Sequence, residues 1–257
     1  MTADEKPGSA PENEYDDQVV ARLQLLWGEG FLSPGGAGEV TEMLRGIDLS
    51  GKRVLDLGYG IGGVNLLLAN EFKAQHVVGI DIEQPLLERA RQRIQEAGME
   101  DRISFRHVSP GPLPFEDHAF DVVFSKDAMI HIPNKEALFC DLLRVLGSGG
   151  QLAASDWLQS EEGRDSSEMM QFSEALGLTF SLATRSETIA ALESAGFDNV
   201  TVRDRNPVYC EEAGRELKRL EGPLREKTIS LIGKGKYEKW IVARRLICAA
   251  LEKNFWG

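Results

Sequence analysis

Basic residues, cysteines, histidines and long apolar runs are all scarce in this 257-residue chain. Lys and Arg total 29 against 41 Asp and Glu, a net charge of −12. That balance argues against a broad phosphate-binding face, because nucleic-acid binders neutralise phosphates with clustered Lys and Arg. No apolar run approaches the roughly 20 residues that span a bilayer. The opening MTADEKPGSAPENEYDD has neither the basic stretch nor the apolar stretch of a secretory signal. Three cysteines, Cys140, Cys210 and Cys248, form no CxxC pair. Neither a disulfide framework nor a metal site is therefore expected, and a reducing cytoplasm is the default location. With nucleic acid and membrane set aside, a small molecule is the expected partner. The 42% hydrophobic content suffices for a core, and the length suits one domain of ordinary enzyme size.

The order of apolar runs gives the architecture. Strand-like runs occur at Arg53–Leu57, His76–Ile80, Ile103–His107, Phe120–Phe124 and Gln151–Ser155. Helical stretches lie between them, among them Glu83–Gly98 and Lys135–Leu146. Strands alternating with helices at this spacing predict an α/β fold, a mostly parallel sheet with helices on both faces. A further helix at Ser186–Ala195 is expected to lead into a strand at Val200–Arg203. Four regions follow: residues 1–14 as a mobile acidic arm, 15–50 as a helical lid, 51–205 as a Rossmann-like core, and 206–257 as a helical cap over the substrate cleft. Gly222-Pro223 and Gly233–Gly235 are expected to interrupt the cap.

Chemistry concentrates at Val54–Gly63, VLDLGYGIGG. A strand ends in Asp56, and Gly58, Gly60 and Gly62 then open a helix, bringing bare backbone close to a ligand. Nineteen residues after Gly62 the second strand ends in Asp81, placed to accept hydrogen bonds from ribose hydroxyls, with Ile82 beside it. The spacing is DxGxGxG rather than the GxGxxG of dinucleotide sites. A carboxylate so near the turn would repel a pyrophosphate but suits a cationic cofactor. The fourth strand runs into FSKDAMIHIP, where Asp127 and His131 stand four apart, expected on one face of a helical turn. His131 has the setting of a general base, with Asp127 to orient it.

The glycine motif resembles motif I of the class I methyltransferases that use S-adenosylmethionine. From Tyr15 to Trp157 the chain is similar to the phosphoethanolamine N-methyltransferases and the sarcosine/dimethylglycine methyltransferases. WGEGFLSPGG, VLDLGYGIGG, VVGIDI, SKDAMIHI and GGQLAASDW carry the likeness. The resemblance implies S-adenosylmethionine as cofactor, with Asp56, Gly58, Gly60, Gly62, Asp81 and Ile82 around it. It implies a catalytic latch of Tyr15 and His131, and cofactor-pocket positions at Ser33 and Lys126. The acid that meets the adenine amino group in the family falls at Ser109, so backbone amides near Val108 and Ser109 take more of that task. The family's phosphate-gripping tyrosine after the fifth strand becomes Trp157, and its arginine and second tyrosine fall near Leu178 and Phe180. Trp157, Phe180, Trp27 and Tyr209 are therefore expected to wall an onium-like group, with Arg185 pairing a carboxylate. The expected activity is methyl transfer to the nitrogen of an amino acid or small amine. A thioether such as methionine, and a non-catalytic S-adenosylmethionine-binding protein, are the alternatives. A monomer or homodimer is expected.

Overall fold

The computed structural model describes residues 15–164 and 181–253. Five parallel strands form one sheet in the order β3-β2-β1-β4-β5: β1 Arg53–Leu57, β2 His76–Asp81, β3 Ile103–His107, β4 Phe120–Lys126 and β5 Leu146–Ser155. Side chains alternate across a strand, and two separate cores result. Val54, Val77, Val122 and Phe124 face one layer with Leu68 of α3 (Gly63–Asn70) and Ile94 of α4 (Gln84–Glu96). Leu55, Leu57 and Val123 face the other with Leu138, Phe139 and Leu142 of α5 (Lys135–Val145). Each fully buried Leu or Phe contributes roughly 1.5–3 kcal/mol, so a one-residue slip of any strand would exchange both cores at once.

α1 (Asp17–Trp27) begins where Asp16 Oδ1 accepts the Val19 amide at 2.8 Å. α2 (Gly36–Met43) buries Val40 and Met43 in the first core, so this part of the N-terminal region packs on the sheet. α6 (Arg185–Ala195) starts with a capping box between Thr184 and Glu187. The last three helices are α7 (Asn206–Glu221), α8 (Arg225–Ile232) and α9 (Lys234–Glu252), broken at the glycines as expected. They pack Leu220, Ile232, Trp240 and Ile241 around Leu26 of α1. None of the described helices is long and apolar enough to cross a membrane.

Two of the expected strands differ in the structure. β5 begins at Leu146 rather than Gln151, because Gly147–Gly150 bulge out between the pairs Phe120–Leu146 and Val122–Gln151. Residues 200–205 form no strand. Their bonds go to side chains instead: Arg185 donates to the Val202 carbonyl at 2.9 Å, and Arg203 reaches Glu42 at 3.5 Å.

Candidate active site

Four strands end in a carboxylate at the same edge of the sheet or just beyond it: Asp56 on β1, Asp81 on β2, Asp127 after β4 and Asp156 after β5. Open α/β sheets bind ligands at this carboxyl edge.

Around β1 and β2 the site is a cradle of backbone. Gly58 has φ +92°, and a Cβ there would stand 2.5 Å from the Ala128 Cβ, so only glycine fits. The Asp81 Oδ2 atom accepts the Gly60 amide at 3.0 Å and Oδ1 accepts the Glu83 amide at 3.0 Å, fixing the turn to the second strand. Burial raises the Asp81 pKa, and these amides hold it back. Asp56 is 1% exposed. Burial, then the charge of Asp81, pushes its carboxyl well above the ordinary range. Asn65 approaches and works the other way. It closes no well-formed bond, since Asp56 Oδ2 and both Asn65 amide atoms lack partners among the described residues. Ile82, directly after Asp81, is 49% exposed, an apolar surface beside the cradle. Val108 is fixed by donating its amide to the Asp81 carbonyl at 2.9 Å, and Ser109 is exposed next to it.

A buried carboxyl with one oxygen that no described donor satisfies, a turn that admits no side chain and an exposed aliphatic face suit a nucleoside ligand carrying hydroxyls and positive charge. The donor set therefore fits S-adenosylmethionine.

The N-terminal segment is tied over this cradle. The Lys126 ammonium, at the end of β4, donates to Ser33 Oγ at 2.9 Å, the Pro34 carbonyl at 2.8 Å and Asp127 Oδ2 at 2.7 Å. Ser33 and Lys126 thus bond each other rather than projecting separately. Gly30 packs directly on Gly63, where an added Cβ would stand 2.2 Å from the Gly30 carbonyl oxygen. Arg93 of α4 secures the same contact through the Ile61 carbonyl at 3.0 Å and Gln24 at 3.2 Å. Tyr15 lies half-buried on Val20, Tyr59, Ile61, Leu86 and Leu87, close to the glycine turn.

Beyond β4 the expected helical turn is replaced. Asp127 adopts φ +55°, and a 3-10 turn, Met129–His131, follows. The Asp127 carboxylate accepts from Lys126 and from Ser155 Oγ at 3.3 Å. A left-handed residue breaks the 3.6-residue periodicity that would have aligned Asp127 and His131. His131 sits half-buried at the end of the turn.

Trp157 and Tyr209, expected to wall the acceptor, meet edge-to-face with ring centroids 5.6 Å apart. They line a narrow crevice of about 10 Å³ with Pro34, Glu212, Glu216 and Arg244. The buried Tyr209 hydroxyl has no hydrogen-bond partner among the described residues. Burial raises its pKa strongly, and the charges of Asp127 and Glu39 add to this.

Two expected substrate residues lie elsewhere. Trp27 packs among the C-terminal helices, its indole N–H donating to Glu216 Oε1 at 2.6 Å, one layer behind the cavity wall. Arg185 is exposed at the start of α6 with its guanidinium on the Val202 carbonyl, because the segment after α6 runs back past the helix start. Phe180 and Leu178 lie outside the described residues.

Asp156 had no assigned role from the sequence. Burial raises its pKa from 3.8 to about 7, with Lys135 opposing and Asp127 adding. The signal was present in the recurrence of an acid at the carboxyl ends of β1, β2 and β4 as well as β5.

Residues 54–150 match the family described as methyltransferase domain. Phosphoethanolamine N-methyltransferase 1 of Arabidopsis thaliana is 30% identical over 95% of this chain and 49% of its own length. The chain spans 40% to 49% of the length of the plant relatives it matches. Among solved structures, phosphoethanolamine N-methyltransferase 2 of Haemonchus contortus, in complex with phosphomonomethylethanolamine and S-adenosylhomocysteine, superposes with a TM-score of 0.87 at 24% identity. That match covers 95% of this chain and 56% of the other. A putative sarcosine dimethylglycine methyltransferase of Galdieria sulphuraria gives 0.79 at 18% identity, covering 94% and 95%. At these identities the superpositions establish the fold.

Proposed function

We propose that this chain, whose residues 54–150 match a methyltransferase-domain family, transfers a methyl group from S-adenosylmethionine to the nitrogen of a small amine. The observation that carries this reading is the Asp56 carboxyl, buried beside Asp81 at the glycine turn with an oxygen that no described donor satisfies. Asp56, Gly58, Gly60, Asp81 and Ile82 would hold the cofactor, which supplies a methyl group already activated on a sulfonium. An amine near neutral pH arrives mostly protonated, and its lone pair must be freed. His131 takes that proton as general base. Trp157 and Tyr209 hold the ammonium, since ring faces attract cations through their quadrupole. Lys126, Ser33 and Pro34 keep the N-terminal segment over the site and water out of it.

The acceptor is an amine or amino acid without a phosphate. Among the described residues, Arg244 lines the cavity and pairs with Glu216, while Arg205 near Tyr209 and Lys126 beside Pro34 pair with Glu39 and Asp127, each at 2.7 Å. A phosphate would have to displace one of these pairs. Incubation with S-adenosylmethionine and a panel of amino acids, methylamines and phosphobases, read as S-adenosylhomocysteine by mass spectrometry, tests both statements. Turnover of an unphosphorylated amine is expected. Preference for phosphoethanolamine would overturn the acceptor class, and no turnover of any amine would overturn the activity.

A further inference from the structure

The turn that ends in His131 has little internal support. It spans three residues, Met129–His131, and short 3-10 turns have poor hydrogen-bond geometry. Its polar groups are held from outside. Asp156 Oδ1 accepts the Ile130 amide at 3.0 Å. Lys135, from the first turn of α5, donates to the Met129 carbonyl and stands 3.9 Å from Asp156 Oδ2. The Ser181 amide donates to the Ile130 carbonyl at 2.8 Å. Ser155, one residue before Asp156, fixes Asp127 through a backbone bond at 2.9 Å and a side-chain bond at 3.3 Å. The end of β5 therefore grips both ends of the segment that carries His131.

We propose that Asp156 is a positioning residue for methyl transfer, its carboxylate and Lys135 together setting the orientation of His131 toward the acceptor. This rests on the reading of His131 as the base for an amine. Among the described residues, the charged groups that face Asp156 are Lys135 from α5 and Asp127 from the end of β4, with Lys126 paired to Asp127. Burial and Asp127 bring the Asp156 carboxyl to about 7, so it changes charge close to neutrality. Ionised, it pairs with Lys135 and accepts the Ile130 amide strongly. Protonated, it loses the pair, and the bond to Ile130 weakens toward that of a neutral acceptor. The contribution of the clamp to turnover therefore grows as pH rises through about 7.

The test compares Asp156→Ala and Asp156→Asn with the intact protein, because Asn keeps an acceptor for Ile130 but cannot titrate. Asp156→Ala is expected to lower kcat on the best amine ~10- to 100-fold with little change in the KM for S-adenosylmethionine, the scale of a small misplacement of a catalytic group. Asp156→Asn is expected to restore most of kcat above neutrality, and its acid limb in a plot of log kcat against pH should be shallower than the wild type's. Equal loss in both variants, with unchanged pH profiles and a lowered Tm, would assign Asp156 to folding alone and overturn the proposal. A second readout needs no substrate: the His131 ring resonances, identified by their loss in His131→Gln, should move in Asp156→Ala. Unmoved resonances would overturn the clamp. Lack of turnover by the wild type on every amine would instead sink the activity reading, leaving the NMR comparison to judge the clamp.

Discussion

Asp56 and Gly58 trade stability for a site. An acid whose pKa is raised on folding is destabilising above its unfolded value, because the unfolded chain ionises it more easily. Asp56→Asn should therefore raise the Tm of the ligand-free protein near neutrality while weakening S-adenosylmethionine binding. A fall in both would show that the carboxylate is satisfied without a ligand. The same logic predicts proton release when a cationic cofactor meets Asp56 and Asp81, seen by calorimetry as a binding heat that depends on buffer ionisation enthalpy. Affinity should rise with pH, since ligand lowers pKa values that burial had raised. Gly58→Ala places a methyl against Ala128 in a left-handed conformation, a cost of about 1–3 kcal/mol. Denaturant unfolding of Gly58→Ala with and without Ala128→Gly checks how much of that cost is the clash and how much the backbone.

At the scale of elements, the β-strands were legible because two-residue alternation and short connections leave few alternatives. Asp56, the glycine turn and Asp81 were legible for the same reason, being fixed by strand ends. The turn after β4 was not. Its conformation depends on Asp127 taking φ +55° and on bonds from Ser155 and Asp156, some 28 and 26 residues away, which no local pattern encodes. Trp27 misled for a related reason, since an aromatic at the end of α1 reads alike whether it faces a cleft or the cap. Its partner Glu216 is 189 residues distant. The segment with Ser33 and Pro34 depends on one ammonium. Lys126→Met should leave the sheet intact and speed hydrogen exchange in the amides of residues 28–36. Unchanged exchange there would mean that the Gly30–Gly63 contact alone holds the segment down.

At the scale of the whole molecule, titration and burial act together on stability. The Asp156 carboxyl is more basic in the folded protein, so its stabilising effect is full below 3.8 and is lost as pH rises to about 7. The loss is on the order of 4 kcal/mol. Unfolding free energy measured from pH 4 to 8 should slope downward from this group, and Asp156→Asn should flatten the slope. The C-terminal helices have their own weak point in Glu216 and Arg244, which are 1% and 5% exposed and ion-paired to each other. Glu216→Ala strands the guanidinium and should cost about 3–5 kcal/mol, whereas replacing the pair by Leu and Met should cost far less. Urea unfolding of the single and double variants distinguishes the two.

That knot also imposes an order on synthesis. α1 finds Glu216 through Trp27, the Arg219 guanidinium through the Leu26 carbonyl at 3.0 Å, and α9 through the bond from Lys236 to Gln18. A ribosome adding about 5–20 residues per second exposes α1 some ten to forty seconds before those partners emerge. The β-sheet can assemble meanwhile, since its strands lie between Arg53 and Ser155. Among the described helices α1 is made early yet is among the last to dock, with the apolar side of Leu26 bare in the interval. A nascent chain stalled before α7 should accordingly bind chaperones at residues 17–27 and release them once α9 is complete.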